Sequence, residues 1–548
     1  MSSQPTASGV LSSPEGRSTS ITLLYTFLLG LFIFAATRHL TRRPSLASRL
    51  PGPCRTSWLF GNVREIRTNP AGTLYNRWIG EYGPVFRLPH IMGRNQVVVA
   101  DPLAVGVIFK DIETWYRTSR FVRNLELVMG RNVASTNDVA DHTRLRRTLN
   151  PAFSGGEIAR HQPVLYDAAD AAVEQMQAEV DANGGVDTVD VFRYASQAAL
   201  DIIGRSMFNY DHLGDPANPL GTAIARMLDA NINHTPLSML QVLFPSLTVI
   251  PSEFTRTMAA NRAIVVDICT QIVEDAKKTG ARGEKDDGGG AKDMLSRLVR
   301  ANTSPEISES QRFSDIEFRD HVSTLIVAGS ETTSSTVAFA LLRLAQNQAI
   351  QKRLRSEIAA LPPHPSASSL NALPYLDAVA NEALRLYPAL PQQDRVAVAN
   401  TTLPLSKPVH TVDGKVLTHL DIKKGTVVSI PLISINQSTA IWGPDALEFR
   451  PERHIPEFEQ NTEFPVRLSN PPPYGNVMTF ISGRKHCLGY RLAVAELKAV
   501  LFTLVRHFHF EEAPGVEIEG RIGFVVRPHV KGDASNVASL PLMVSPVA

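Results

Sequence analysis

One stretch, Phe480-Ile481-Ser482-Gly483-Arg484-Lys485-His486-Cys487-Leu488-Gly489, constrains this chain more than any other. It sets a cysteine between two glycines, just ahead of a helical pattern in which Leu497, Leu501, Leu504, Val505 and Phe508 share one face. The spacing predicts a tight loop that delivers Cys487 to a helix N-terminus. Glycine accepts backbone angles and close approaches that other residues resist. The unpaired amides and the dipole of a helix start favour a thiolate. A lone cysteine is more often an inert core residue. The setting of Cys487 reverses those odds: a thiolate beside glycines that leave room for a flat macrocycle suits an axial position on haem iron.

Nothing repeats in the 548 residues, although length alone would permit several domains. The formal net charge of +2 gives no basic excess for nucleic acid. Cys54, Cys269 and Cys487 lie far apart and make neither a zinc pattern nor a disulfide framework, which fits a reducing compartment. The run Ile21 to Thr37 carries no charge. As a helix it spans about 25 Å, close to the roughly 30 Å apolar thickness of a bilayer. Arg38, Arg42 and Arg43 follow at once, which places them and all later residues on the cytosolic face. The run lacks a small-residue cleavage site and is apolar on all faces, against a removed signal peptide or a mitochondrial presequence. The prolines of Leu50-Pro51-Gly52-Pro53 stop such a helix from continuing. The expected organisation is a tail and anchor over 1–44, transmembrane over about 21–37, and one catalytic domain over 45–548.

Ser314, with Glu317 three residues on, is a capping box opening a helix expected to reach about Leu344. Ala328-Gly329-Ser330-Glu331-Thr332-Thr333 lies in its middle. Glycine there costs about 1 kcal/mol, which suggests a purpose. Gly329 would allow close approach to a haem face, Thr332 would offer a hydroxyl to oxygen or water, and Glu331 would relay protons from solvent. A bend from Ser/Thr back-bonding is the plainer outcome, compatible with the first. Glu382 and Arg385 stand i, i+3 on a helix from near Leu376 to Pro388. Exposed, such a pair contributes little. Buried, as Val379, Leu384 and Leu386 suggest, it needs further partners. Phe449-Arg450-Pro451-Glu452-Arg453 offers one. His142 and Arg146, i and i+4, share a helix face that is either a solvated basic surface or a carboxylate site.

Short strands are expected over Pro84–Leu88 and Gln96–Ala100, with turn chemistry from Gly93 and Asn95, and over Pro391–Ala397 and Gly523–Val526. Phe121–Asp138 shows only weak periodicity. Asn231–Pro251 is apolar enough for core or for a lid dipping into a membrane, and Thr279–Asp293 has the composition of a flexible surface loop.

Four of these motifs, in this order, resemble the cytochrome P450 family from roughly Leu50 to the C-terminus. The family's Phe-x-x-Gly-x-Arg-x-Cys-x-Gly loop is matched at Phe480, Gly483, Cys487 and Gly489, with Lys485 at the Arg position and Arg484 before it. The segment Ala328–Thr332 matches Ala/Gly-Gly-x-Asp/Glu-Thr, Glu382-x-x-Arg385 matches the ion-pair motif, and Arg453 matches the second arginine. The resemblance implies a mainly α fold with small β-sheets behind the N-terminal transmembrane helix. It implies haem b with Cys487 as axial ligand, contacted by Phe480, Gly483, Gly489, Gly329, His142, Arg146, Arg395 and either Lys485 or Arg484. Thr332 and Glu331 would serve oxygen activation, while Glu382, Arg385 and Arg453 would brace the cysteine loop. Residues 121–138 would line the substrate pocket, with Gln392, Gln393 and Phe524 as candidate substrate contacts. The implied protein is a microsomal, fungal-type monooxygenase in the endoplasmic reticulum membrane. It would oxidise a lipophilic, terpenoid-like molecule of secondary metabolism with O2. Electrons would come from NADPH–cytochrome P450 reductase, with cytochrome b5 as a further partner, docking near Arg484, Lys485 and Arg491. A haem-thiolate isomerase or dehydratase, or a non-catalytic haem-binding sensor, would not need the oxygen helix, whose motif is complete here.

Overall fold

The computed structural model describes residue 30 and residues 46–547, except 212, 230–234, 282–293, 304–311, 457–466 and 536. The anchor run 21–37, Gly30 apart, residues 231–234 of the apolar segment and most of the 279–293 loop therefore lie outside the described residues.

The elements that position the site come in this order: β1 (Val85–Pro89), β2 (Asn95–Val99), α1 (Pro102–Lys110), β3 (Trp115–Arg117), α2 (Ser119–Met129), α3 (Val139–Leu149), α4 (Val191–Phe208), α5 (Glu253–Ala281), α6 (Asp315–Gln346), α7 (Pro374–Leu386), β4 (Gln393–Ala397), β5 (Val427–Ile430), α8 (Tyr490–His507), β6 (Ile518–Ile522) and β7 (Val526–Val530). Helix dominates, and the sheets among the described residues are small, the largest having the order β1-β2-β5-β4-β3.

α6 is the axis of the fold. The capping box forms as expected: Ser314 Oγ accepts from Glu317 N at 3.2 Å, and Glu317 Oε2 accepts from Ser314 N at 2.9 Å. The helix then runs unbroken to Gln346, mostly buried among α4, α5, α8 and strand Phe508–Glu512. It is long and apolar enough to cross a membrane, but its burial makes it a core helix. A Cβ at Gly329 would stand 2.5 Å from Ile203 Cδ1, so this glycine lets α4 and α6 pack closely. This packing need adds to the expected approach to a haem face.

The β1–β2 hairpin lies within a residue of its expected bounds, turning through Met92 and Gly93 at φ of 51° and 69°. Gly523–Val525, expected as strand, is instead the turn of the β6–β7 hairpin, where Ile522 pairs with Val526 and Gly523 N donates to Val525 O. The stretch after Phe121 is more ordered than its pattern suggested. Thr118 caps α2, with Oγ1 accepting from Phe121 N at 3.3 Å.

Candidate active site

The Cys487 loop is fixed by its backbone. Phe480 O accepts from Cys487 N at 2.9 Å, and Gly483 O accepts from His486 N at 3.1 Å. Gly483 has φ +72°, and a Cβ there would lie 2.1 Å from Phe109 O of α1, so no side chain fits. Ile481 holds φ +47°, a strained angle for a β-branched residue and one that clusters at functional sites. Gly489 differs: a Cβ would make ordinary contact with Phe153 at 3.6 Å. The protein's own packing does not demand that glycine, which lines the cavity beside Cys487. Arg146 of α3 donates from Nη1 to His486 O at 2.5 Å and contacts His486 Nε2 through Nη2 at 2.8 Å. Two of its nitrogens thus clamp the cysteine loop, whereas the family pattern had them on a propionate.

Cys487 is exposed only toward a cavity enclosing, with its mouth, ≈ 1690 Å³ of empty space. Burial pushes the thiol up, while the Gly489 amide and Arg146 favour the thiolate. Ala328, Gly329, Thr332 and Thr333 of α6 line the same cavity, as do Phe121, Leu125 and Met129 from one face of α2. Gln393 and Phe524 line it too. Thr332 Oγ1 donates to Ala328 O at 2.7 Å, the back-bond considered above. Its proton is committed to the helix, and its lone pairs remain as acceptors. Glu331 is not among the lining residues. It is buried, with Oε2 3.1 Å from Arg527 Nη2, and Arg527 Nη1 lies 2.6 Å from Asp229 Oδ1. Burial raises the Glu331 carboxyl, and Arg527 opposes that rise. Glu331 is thus ion-paired through Arg527 to the half-buried Asp229.

One flank of the cavity is cationic. His142, Arg146 and Arg117 line it, and Arg395 and Lys485 stand close behind. Arg117 and Arg395 are register partners on β3 and β4. Arg117 Nε and Nη1 and Arg395 Nη2 are buried without hydrogen-bond partners. Buried cationic donors left this way call for anions. Burial, then Arg117 and Arg395, brings the Lys485 ammonium down to about 7. Burial, then Lys485 and Arg117, brings His142 down to about 4, so its imidazole is neutral at pH 7. Lys485 turns inward, with Nζ donating to Thr136 O at 3.3 Å, while Arg484 turns outward toward Thr143. Of the two, Lys485 is therefore the one on the cationic flank of the cavity, and Arg484 is the one exposed to solvent. The orphaned donors and the cavity-facing thiol fit a macrocycle that carries two carboxylates.

Behind the loop sits the ion cluster. Glu382 and Arg385 of α7 are fully buried and form a bidentate pair, both hydrogen bonds 2.8 Å. Arg453 Nε donates to Glu382 Oε1 at 2.9 Å, and His454 Nε2 lies 2.8 Å from Oε2. Burial alone would raise the Glu382 carboxyl, but Arg385 and His454 hold it far below the usual range. Arg385 Nη1 donates to Asn436 O at 2.8 Å. Asn436 Oδ1 in turn accepts from Met478 N at 2.7 Å, and its Nδ2 donates to Thr479 Oγ1 at 3.1 Å, just ahead of Phe480. The cluster thus braces the cysteine loop through Asn436. Asn436, His454, Arg117 and the cavity-lining Glu496 were missed in the sequence. His454 was signalled by its place beside Arg453, and the others carry no local pattern.

A mainly helical fold around one long distal helix, with a cysteine loop facing it across a cation-flanked cavity, defines a haem-thiolate protein. A cytochrome P450 family model matches residues 51–533, and the chain belongs to that family. Cytochrome P450 monooxygenase 128 of Postia placenta is 35% identical over 90% of this chain and 92% of its own length. Cytochrome P450 monooxygenase 205 of the same organism is 32% identical over 91% and 92%. Cytochrome P450 monooxygenase claU of Ampulloclitocybe clavipes is 29% identical over 97% and 98%. The protein is a fungal-type cytochrome P450 monooxygenase, and the family's cofactor is haem with an axial cysteine thiolate.

Proposed function

We propose that this chain is a membrane-anchored monooxygenase of fungal secondary metabolism that hydroxylates or otherwise oxidises a lipophilic, terpenoid-like small molecule. The observation that carries the reading is a single cavity lined at once by Cys487 and Thr332. Haem bound there supplies activation of O2 and insertion of one oxygen atom into substrate. Cys487 would hold the iron, and Arg117, Arg395, Lys485 and the neutral His142 would hold the carboxylates of the macrocycle. Thr332 Oγ1, anchored to Ala328 O, orders a water and steadies the proton it delivers. Glu331, ion-paired to Arg527 behind α6, would supply the proton from the protein side. The apolar face of α2 excludes bulk water and orients substrate. Electrons come from NADPH–cytochrome P450 reductase, assisted by cytochrome b5, on the face that exposes Arg484 and Arg491.

Thr332→Ala tests this reading. With purified reductase, the wild type consumes NADPH and O2 together and forms oxygenated product. General acid–base assistance is typically worth about 100- to 10,000-fold, and neighbouring waters recover part of it, so product per NADPH is expected to drop by about tenfold or more. Haem content and NADPH consumption persist, and hydrogen peroxide rises. Wild-type coupling in the variant would reduce Thr332 to a helix residue. Product formed without O2 and reductase would favour an isomerase or dehydratase.

An endoplasmic reticulum anchor at about 21–37, with the domain cytosolic, is supported by the apolar surface that Trp58, Leu59 and Met92 share with the Pro236–Ile250 segment. Ile91 and Met239 cluster there with Phe60, Val63 and Phe244. Trp58 is 63% and Val249 83% exposed, more than water alone favours for such side chains. Protease added to sealed microsomes is expected to digest the domain. Full protection until detergent is added would reverse the topology.

A further inference from the structure

Arg146, on the last turn of α3, lines the haem chamber, yet both of its terminal nitrogens engage the residue just before the ligand. Nη1 donates to His486 O at 2.5 Å, and Nη2 lies 2.8 Å from His486 Nε2. The tautomer of His486 follows from its other ring nitrogen. Nδ1 lies 2.9 Å from Gly483 O, and a carbonyl can only accept, so Nδ1 carries the proton and Nε2 offers a lone pair. Arg146 therefore donates to both acceptors of His486. Cys487 N donates to Phe480 O at 2.9 Å, so the peptide joining His486 to Cys487 is held at its carbonyl by a cation and at its amide by the loop itself. The guanidinium charge also acts on the Cys487 sulfur. Arg117 and Arg395 differ: each keeps buried nitrogens without hydrogen-bond partners, which suits the carboxylates of a macrocycle. Outer hydrogen bonds and charges tune an iron site through its ligand. A cation beside the sulfur draws charge from it and favours the ferrous state, which carries one more electron.

We propose that Arg146 is a positioning residue of the sulfur side: it holds the His486–Cys487 peptide, places one positive charge by the thiolate, and thereby raises the reduction potential of the haem iron. This rests on the reading of Cys487 as the haem ligand and adds the residue that tunes it.

Purified full-length holoenzyme is reduced stepwise in a spectroelectrochemical cell for its ferric–ferrous midpoint, and the C–O stretch of its ferrous carbonyl complex is read by infrared spectroscopy. Arg146→Gln removes the charge. The reduction equilibrium is expected to fall by about tenfold, a drop of about 59 mV for a one-electron couple. The C–O stretch should fall with it, because the thiolate then donates more to the iron. Arg146→Lys, which keeps the charge, is expected to restore most of the midpoint. His486→Phe keeps a ring against Tyr490 but loses the Nε2 acceptor, and it should give part of the drop. Because the two residues act as one unit, Arg146→Gln added to His486→Phe should lower the midpoint by less than it does alone. A midpoint and a stretch unchanged in Arg146→Gln overturn the proposal even where the melting temperature drops, since a purely structural clamp would move only the latter. Strict additivity of the two substitutions overturns it as well and would return Arg146 to a carboxylate of the macrocycle. If Arg146→Gln loads no haem, His486→Phe decides: a lowered midpoint supports the role and a wild-type midpoint overturns it. A wild-type protein lacking the thiolate-type carbonyl band would instead sink the reading of Cys487 as ligand. A normal band with an unmoved midpoint sinks only the role given to Arg146.

Discussion

Cys487→Ser is expected to abolish the far-red-shifted Soret band of the reduced carbonyl complex and all NADPH-supported product formation, while the chain still folds. The fold should survive because nothing that shapes the loop uses the sulfur. Its turn rests on the Phe480 O–Cys487 N hydrogen bond, on the close seat of Gly483 against Phe109 O and on the Arg146 clamp at His486. Serine replaces cysteine with little change of volume. Its oxygen is a poor match for the soft thiolate that gives this cofactor class its spectrum and favours O–O cleavage. The other two thiols serve as controls. Cys269 is fully buried in α5, where burial pushes its thiol up to about 12, and Cys54 is exposed. Neither lines the chamber. Cys54→Ser and Cys269→Ser are expected to keep the band. An unchanged band in Cys487→Ser would remove the ligand assignment.

What the sequence made legible follows from how local each signal is. The capping box of α6 needs only Ser314 and Glu317, and it forms as read. The loop around Cys487 is ten consecutive residues whose shape depends on its own glycines, so it was readable entire. The i, i+3 pair Glu382–Arg385 was also readable, and Arg453 could be joined to it through the family pattern. The cationic flank is different in kind. Arg117 and Arg395 meet because β3 and β4 pair in one register across hundreds of residues, and no stretch of chain announces that. Arg146 was correctly placed on a helix face, but its partner is a carbonyl of the cysteine loop, a tertiary fact. The α2 face was present as Phe121, Leu125 and Met129 at i, i+4 and i+8, yet the charged residues between them diluted the pattern. Gly329 shows the same limit. Its cost in a helix was evident, but the need for it comes from Ile203 on α4 as well as from the chamber it lines.

Glu382→Ala is expected to remove most of the folded, haem-loaded protein. The substitution strips the carboxylate from between Arg385, at 0% exposure, and Arg453, at 6%, and leaves both cations buried without their counter-charge. Breaking a buried pair in this way typically costs about 3–5 kcal/mol, against a net stability of roughly 5–15 kcal/mol for a whole domain. The damage also reaches the haem side, because Arg385 orders Asn436, which holds Met478 and Thr479 at the entrance to the cysteine loop. Haem content and melting temperature should therefore fall together. Glu382→Gln keeps the shape and part of the hydrogen bonding but not the charge, so it should lose less. The pH dependence has a definite sign. The folded carboxyl is held far below its unfolded value, so its contribution is full above the ordinary carboxylate range and is lost progressively as pH falls below that range toward the folded value. In the variants that acid-dependent part of the stability should be absent, flattening the dependence of melting temperature on pH below about 4.3. Calorimetry across that range, alongside the carbonyl spectrum, checks both. Glu382→Ala with wild-type haem content and melting temperature would show that the cluster is an ornament of the fold and that the loop stands without its brace.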